Sequence, residues 1–483
     1  MRRLLTSSGI VGIPDADSVL IDADRIVAIG RRAEFDGTYE VSQHEGFLSA
    51  PRHDHHFHPL GYAAAVSRLT LKDVPDFDGL RKRLQAAAAR LQPGESLTAT
   101  RLDDEALSEL RLPNRWELDE MVGTTPLLLH RYCVHVAVAN SAALALAGLS
   151  DHPDGILREE EIAPVLREVG SRQSPLAPEI VEQSLVGLAS LGLGTITAIV
   201  SAGDPLFCEV PEELTTLISL APRVPLDFEV LVTAPDPPSL GSAAAALQGA
   251  GSNLRFDGWK EFADGALGGR TAALHEGFSD DPDNVGIMRL RRPHADEMAR
   301  AALDLGGVGA IHAIGDRAND AVLDLLRDLV VAGADEAALR IEHASVLTPT
   351  ARQRMAHLGI TASVQPSFIT SEVTWLKKRL GRRVAHTYAL GQMEEEGIPL
   401  RGGSDCPVET PSPWEGMAAA RIGGLSARSA YELYGPTLQV GEPSHAIVID
   451  RDPLQTADVA GTRVLASYRH GQPLELTTPP TFV

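Results

Sequence analysis

The chain has 483 residues, of which 44% are apolar and 22% charged, and this composition is typical of a folded globular protein with an ample core. Its 65 Asp and Glu outnumber its 43 Lys and Arg, and the formal charge of −22 argues against nucleic acid or anionic membrane as a partner. No apolar run reaches the length that crosses a bilayer.

The cysteines and the N-terminus predict the compartment. Cys133, Cys208 and Cys406 have neither CxxC nor metal-finger spacing, so no disulfide framework is expected. The first residues are Met-Arg-Arg-Leu-Leu, but the polar segment 6–9 ends the apolar run too early for a signal peptide. We therefore expect an unprocessed, cytoplasmic protein.

The two ends of the chain carry short strand patterns. Residues 18–30 contain two apolar runs around an Asp-Ala-Asp turn, which predicts a hairpin, and residues 445–450 and 463–471 are also typical of strands. Neither end can bury a sheet face alone. We predict one small β-sandwich domain built from residues 1–49 and 435–483.

Residues 50–434 alternate short apolar runs with helical patterns such as 294–305 and 319–330, which is typical of βα units around a parallel sheet. With the strand before His56, eight strands are predicted. They indicate an α/β fold, a (β/α)8 TIM-like barrel, in which catalytic groups gather at the carboxyl ends of the strands. The other seven predicted strands are residues 194–200, 226–233, 256–263, 308–314, 339–345, 360–366 and 398–405.

The interval from His58 to Gly194 is too long for one βα connection. It contains a helical pattern at about 76–92, a strand at 127–131 and a helix at 140–146. We predict an insertion at about residues 95–160 over the barrel mouth, where long loops usually carry function. Substrate selection is expected there.

The segment Asp54-His55-His56-Phe57-His58 offers the first candidate metal ligands. Residues two apart in a strand face the same side, so His56 and His58 point the same way. Histidine is the commonest ligand of zinc-like ions. A histidine-rich surface loop is the alternative, and later segments argue against it because each offers one more ligand at a strand end.

Lys260 stands at the end of a predicted barrel strand. A buried lysine is costly unless it is paired, neutralised or modified. Carbamylation by CO2 would convert it into a carboxylate that bridges two metals, whereas an ion pair with Asp264 is the plainer alternative. The spacing leaves both open.

Three further side chains end predicted strands and would face the same mouth. His312 and His343 end successive strands, and Asp405 ends the last one. A lone histidine is more often a core residue, and an Asp often caps a helix or turn. A carboxylate beside a metal, however, can both ligate it and accept a proton from water. Together with the earlier residues, these side chains indicate a hydrolytic metal site.

In these residues the chain resembles the amidohydrolase superfamily, and more narrowly its amidohydrolase-3 branch, which includes N-substituted formamide deformylases. Segments 135–144 and 155–159 resemble that branch as well. The motifs that carry the resemblance are Asp54-x-His56-x-His58, the run from Lys260 to Ala272, His312-Ala-Ile-Gly-Asp-Arg-Ala, Ile341-Glu-His-Ala, Ser363-Val-Gln-Pro and Gly403-Ser-Asp-Cys-Pro-Val.

The resemblance implies a metal-dependent amidohydrolase that cleaves a non-peptide amide or cyclic amide of a small molecule through a metal-activated hydroxide, with Asp405 as general base. It implies one or two divalent metals per chain, with zinc the first choice. The implied ligands are His56, His58 and Asp405 for one metal, His312 and His343 for the second, and a carboxylated Lys260 as bridge. The candidates for substrate contact are Arg270, His135, Glu159 and Gln365.

Several alternatives stay open. The same site could serve a deaminase or an ester or lactone hydrolase, a free Lys260 would indicate a mononuclear centre, and an inactive barrel that only binds a small ligand is a further possibility. The expected partner is a small-molecule substrate, and a homodimer is the default assembly.

The sequence departs from the branch in several places, and the segment from about 425 to 440 also looks shortened. Pro51-Arg-His stands where relatives place Gly and apolar residues, so that strand is expected to be bent or more open. Cys133-Val134 replaces a common Asp-Gly pair, which weakens the expected contact of His135. Ser444-His445 replaces Ala-Asp near the end of the chain.

Overall fold

The computed structural model describes residues 2–203 and 212–480, and Cys208 lies outside these residues. The described strands, in chain order, are β1 (Arg2–Thr6), β2 (Gly9–Ile10), β3 (Ser18–Asp22), β4 (Arg25–Gly30), β5 (Glu40–Gln43), β6 (Phe47–Ser49), β7 (Arg52–Phe57), β8 (Leu69–Thr70), β9 (Leu97–Leu102), β10 (Leu127–Arg131), β11 (Val136–Ala139), β12 (Ile156–Arg158), β13 (Leu193–Ser201), β14 (Asp227–Thr233), β15 (Leu254–Phe262), β16 (Val308–Ala313), β17 (Leu339–His343), β18 (Thr361–Val364), β19 (Leu400–Gly402), β20 (Ala446–Ile449), β21 (Val464–Arg469) and β22 (Gln472–Leu474).

Helices fill most of the connections between these strands. The α-helices, in chain order, are α1 (Pro59–Ser67), α2 (Phe77–Ala88), α3 (Arg115–Val122), α4 (Ser141–Leu146), α5 (Ile162–Gly170), α6 (Pro178–Gly187), α7 (Glu213–Leu220), α8 (Pro237–Gln248), α9 (Arg292–Asp304), α10 (Asp316–Val331), α11 (Pro349–His357), α12 (Phe368–Ser371), α13 (Val373–Leu380), α14 (Leu390–Glu395), α15 (Pro413–Ile422) and α16 (Ala427–Glu432). Within the described part of the chain, no helix is both long and apolar enough to cross a membrane.

Eight parallel strands form the central sheet in the order β7-β13-β14-β15-β16-β17-β18-β19. The two edges meet beyond β19, where Phe57 forms a parallel bridge with Cys406. The amide of Asp405 also donates to the carbonyl of His56 at 2.8 Å, and the amide of His58 to that of Cys406 at 2.9 Å. These contacts close the sheet into the predicted (β/α)8 barrel.

Helix α10 shows why the helices cover the outside of this barrel. Its apolar residues recur at spacings of three and four, and Ala318, Val322, Leu325 and Leu329 are fully buried. That single apolar stripe is buried only if the helix lies against a sheet, and α10 packs against β16 and β17. The helical pattern predicted for residues 319–330 is thereby confirmed.

Strand β7 is irregular where the sequence departs from its relatives. Its register on β13 shifts at two places. The Arg52 side chain is fully buried, and its guanidinium donates to the carbonyls of Ala50 at 2.7 Å and Pro436 at 2.9 Å and lies 4.1 Å from the ring centroid of Tyr431. The buried cation is satisfied by carbonyls and an aromatic face, and the bend expected for this strand stays a prediction.

Strands from the two ends of the chain share a sheet. The order β2-β6-β20-β21-β22 joins N-terminal and C-terminal strands, with Leu48 opposite Val448, and a second sheet has the order β4-β3-β1-β5. Leu5, Val19 and Val448 belong to one apolar cluster between these sheets. This arrangement agrees with the β-sandwich, while the exact domain boundaries stay a prediction.

The interval between β7 and β13 contains its own five-stranded sheet, ordered β12-β11-β10-β9-β8. In β10 the side chains alternate: Leu127 and Leu129 pack in the cluster that includes helices α2 and α3, whereas Leu128 packs in the cluster that includes α5. The predicted insertion is therefore a layered unit with a sheet between helices. Its first strand starts at Leu69, ahead of the predicted limit of residue 95.

Candidate metal centre

The carboxyl ends of the barrel strands bring the predicted ligands to one cavity of about 70 Å³. The ring centroid of His343 lies 4.7 Å from that of His56 and 4.5 Å from that of His312. The Oδ1 atom of Asp405 lies 3.3 Å from Nε2 of His56 and 3.2 Å from Nε2 of His58. Five of the six predicted metal ligands line this cavity, and Lys260 lies on β15 with its amine beside Phe262, which also lines it.

Three of these side chains have ligand atoms that could hold one ion. One ligand atom each from His56, His343 and Asp405 lies within 4.8 Å of the other two. Burial by itself would raise the pKa of Asp405, but the neighbouring His56 and the hydrogen bonds from His56 and His58 hold it well below its usual value. Asp405 is thus a carboxylate, the form that binds a cation and accepts a proton.

A buried carboxylate orients His56. Glu342 is fully buried, and its Oε2 accepts a short hydrogen bond from Nδ1 of His56 while its Oε1 accepts one from Nε of Arg340 at 2.6 Å. The positive charge of Arg340 and the bond from His56 outweigh burial and lower the pKa of Glu342. Because Nδ1 of His56 donates to Glu342, Nε2, which faces Asp405, is the ring nitrogen left to bind a metal.

Hydrogen bonds also hold His343 and His312, two further candidate ligands. Nδ1 of His343 donates to Oε1 of Gln365 at 2.7 Å, and Nε2 of His312 donates to the carbonyl of Gly265 at 3.2 Å. Each ring has one nitrogen engaged in a hydrogen bond, which leaves the other for a metal, as in metal-binding histidines. Burial and the nearby His343 lower the pKa of His312 well below its usual value, so its imidazole is neutral.

Lys260 is a buried amine whose Nζ has no hydrogen-bond partner among the residues that the structure describes. It is 1% exposed, and Nζ lies 3.5 Å from the ring centroid of Phe262. The alternative ion pair with Asp264 is not formed, since Asp264 instead accepts from the amides of Ile314 and Gly315 at 3.0 and 2.8 Å. Burial lowers the pKa of Lys260 to about 8, which increases the fraction of neutral amine, the form that can add CO2.

Strained backbone coincides with the cavity. Val134, Glu159, His343 and Asp405 all adopt left-handed φ values, between 49° and 71°, that favour glycine. Each of them lines the cavity. Residues with strained backbone conformations are concentrated at functional sites. These φ values are therefore consistent with a site that needs the four side chains in fixed orientations.

The four predicted substrate contacts do not all lie at the cavity. His135 and Glu159 line the cavity, where Nδ1 of His135 lies 3.1 Å from Oε2 of Glu159. Gln365 is 2% exposed and lies behind His343 as its hydrogen-bond partner. Arg270 does not line the cavity and pairs with Asp280 at 3.0 Å. The geometry therefore places His135 and Glu159 at the site, Gln365 behind a proposed ligand, and Arg270 elsewhere.

Two charged residues that hold side chains of the site in place, Arg289 and Glu342, were not among the predicted site residues. Arg289 donates to Oε2 of Glu159 at 3.2 Å and lies close to Phe262, and Glu342 orients His56. Glu342 stands within the quoted Ile-Glu-His motif, and a carboxylate inside a predicted buried strand was the available signal, because such a charge requires a partner. Arg289 lies in a segment without any such pattern.

Comparison with known proteins gives similarity over most of the chain. Residues 47–440 match the model of the amidohydrolase family. The protein YtcJ of Bacillus subtilis (strain 168), provisionally named an amidohydrolase, is 26% identical over 428 residues, which cover 84% of this chain and 78% of YtcJ. The N-substituted formamide deformylase of Arthrobacter pascens is 24% identical over 519 residues, covering 94% of both chains. The crystal structure of an uncharacterized metal-dependent hydrolase from Pyrococcus furiosus has a TM-score of 0.72 and 26% identity, covering 94% of this chain and all of the other.

Proposed function

The chain belongs to the amidohydrolase family, and from this membership and the geometry of the cavity we propose that it is a metal-dependent hydrolase that cleaves a non-peptide C–N bond, an amide or cyclic amide, of a small molecule. The observation that carries the proposal is the convergence of His56, His343 and Asp405 within 4.8 Å at the carboxyl ends of the barrel strands. The unpartnered amine of Lys260 beside them supports it.

The donor set suits a divalent cation. Imidazole and carboxylate are borderline and hard ligands that accept zinc, although they also accept manganese, iron and nickel. We propose that His56, His58, His312, His343 and Asp405 would hold one or two such ions, and that Lys260, as a carboxylate, would be a further ligand. A cation bound there would polarise the amide carbonyl and lower the pKa of a water molecule.

Asp405 is the proposed general base. Its carboxylate is ionised and faces the cavity. As water adds its oxygen to the carbonyl carbon, Asp405 accepts the proton, and it then delivers that proton to the nitrogen as the C–N bond breaks. The products are a carboxylic acid and an amine. Glu159, held by Arg289, fixes the ring of His135 at the cavity wall, 5.4 Å from the ring of His312, where it can contact the substrate.

The test combines metal analysis with activity. Protein purified without chelator is analysed for metal and assayed on an amide panel that includes N-substituted formamides, because the Arthrobacter relative is named for them. Asp405→Asn is expected to lower kcat/KM by about 10²–10⁴-fold. The matched control Asp296→Asn, on the exposed side of α9, is expected to behave like the wild type.

Three results would revise the proposal. Turnover of lactones or aminopurines without any amide would replace the substrate class. Full activity of Asp405→Asn would remove the general base. Absence of metal after every reconstitution would favour a barrel that only binds a small ligand. The cytoplasmic location and the homodimer stay predictions.

A further inference from the structure

One helix of the insertion forms a wall of the cavity. In α5, Ile162, Ala163 and Leu166 line the cavity. Leu166 lies three residues after Ala163 and four after Ile162, and these spacings make it a neighbour of both on the helix surface. Val165 and Val169 are fully buried in the cluster that also contains Leu128 of β10. Ile162 and Leu166 belong to this same cluster, so α5 connects the insertion's core with the wall of the cavity.

The rim beside this helix is apolar as well. Val134 from the insertion and Pro407 and Val408 from the segment after Asp405 also line the cavity. The polar side chains of the lining are the proposed metal ligands together with His130, His135, Cys133 and two carboxylates. A substrate that reaches Asp405 thus meets aliphatic side chains as well as polar groups.

The cavity lining provides few charged groups that could pair with a charged substituent of the substrate. Among the described residues, the lining contains neither Lys nor Arg. Glu159 is already paired with His135 and Arg289, and Oε2 of Glu213 accepts from the amide of Ser201 at 2.9 Å. A substrate carboxylate on the α5 side would lose water without gaining a counter-charge, which is strongly unfavourable.

We infer that the substrate carries a compact, uncharged, aliphatic group beside its scissile bond, and that this group packs against Ile162, Ala163 and Leu166. This inference rests on the proposed function, whose substrate class it narrows. The small cavity volume, about 70 Å³, favours a compact group. Substrate size is then set by a helix of the insertion, and the bond cleavage by the barrel.

The test uses three formamides that differ only in the substituent on nitrogen: N-isobutylformamide, N-(2-carboxyethyl)formamide and N-(2-aminoethyl)formamide. We expect the metal-loaded full chain to prefer the isobutyl compound in kcat/KM by about 100-fold or more over either charged one. Calorimetric Kd values are measured on the same protein whether or not turnover occurs. A binding preference for the isobutyl compound, with no turnover of any compound of the amide panel, would refute the proposed function, whereas the preference of the α5 wall for an aliphatic group would still stand.

Variants of α5 locate the preference. Leu166→Ala should lower kcat/KM for N-isobutylformamide about 10-fold. The same variant should process formamides with bulkier N-alkyl groups with a smaller decrease in kcat/KM, relative to the isobutyl compound, than the wild type does. Ala163→Lys should raise kcat/KM, or lower Kd, for the carboxyethyl compound by about 10-fold or more, because it supplies the missing cation. Val165→Ala is the matched control, since Val165 is buried in the same helix and does not line the cavity.

Two outcomes overturn the inference. The first is that a charged formamide is bound and processed as well as the isobutyl compound. The second is that Val165→Ala changes the preference as much as Leu166→Ala, which would mean that helix stability and not the cavity wall is responsible. Thermal unfolding of each variant shows that the compared proteins are folded.

Discussion

Replacing Glu342 by Gln tests whether the buried carboxylate prepares His56 to bind metal. Glu342 accepts from Nδ1 of His56 and from Nε of Arg340 at 2.6 Å, and all three side chains are almost fully buried. A glutamine of the same shape removes the negative charge. Its amide group can also donate to Nδ1 of His56, which would place the ring proton on Nε2, the nitrogen that faces Asp405.

The magnitude follows from these contacts. Loss of a hydrogen-bond partner behind a metal-binding histidine typically costs about 10–100-fold in metal affinity. Removing one member of a buried ion pair destabilises the fold by about 3–5 kcal/mol. We expect Glu342→Gln to lower the free energy of unfolding by about 3 kcal/mol, the lower end of this range. The reason is that Arg340 would still have a carboxylate partner, since its Nη1 lies 3.4 Å from Asp257.

The assay is competition for zinc with a chromophoric chelator, combined with urea unfolding. The control is Glu396→Gln, which removes a carboxylate that pairs with Arg352 at 3.1 Å and does not line the cavity. It should lose some stability and keep the wild-type metal affinity. A folded Glu342→Gln protein that binds zinc as tightly as the wild type would refute the reasoning.

Three further predictions concern packing, pH and the lysine. Gly403→Ala should weaken zinc binding, because the added Cβ would lie 2.6 Å from the backbone nitrogen of His56. The control Gly241→Ala lies in a helix with open space around it and should stabilise the protein by about 0.5–1 kcal/mol. Equal effects of the two variants in zinc titration and urea unfolding would contradict this prediction. Burial raises the pKa of Glu372 from 4.5 to about 8, so its contribution to the unfolding free energy is full below pH 4.5 and is lost as the pH rises through 8. Glu372→Gln should flatten this decline in urea unfolding at about pH 5 and about pH 9, and an unchanged slope would argue against it. Native mass spectrometry under non-acidic conditions should show an added mass of about 44 Da, one CO2, that is absent in Lys260→Ala; the same added mass in both proteins would place the CO2 elsewhere.

Much of the fold could be predicted because its signals are local. The seven strands given by residue range and the strand before His56 all lie within a few residues of their predicted bounds, since short apolar runs between amphipathic helices have few alternatives in a parallel sheet. The insertion was less predictable. Its first strand, β8, has only two residues, which is too short for a periodic pattern.

The site was predictable in its residue types and not in its contacts. His56, His58, His312, His343 and Asp405 could be placed at strand ends from the sequence. That Gln365 lies behind His343, and that Arg270 pairs with Asp280 away from the cavity, depends on side-chain directions that no spacing specifies.

The amino-acid sequence by itself determined the barrel, the set of candidate metal ligands and the resemblance to a family of hydrolases, because apolar periodicity and motif spacing are properties of neighbouring residues. Only the tertiary structure decided that Lys260 lacks an ion pair, that Glu342 orients His56, and that the apolar face of α5 forms a wall of the cavity. Each of these facts joins segments that are far apart in the chain, and burial, which gives such contacts their energetic weight, exists only once the chain has folded.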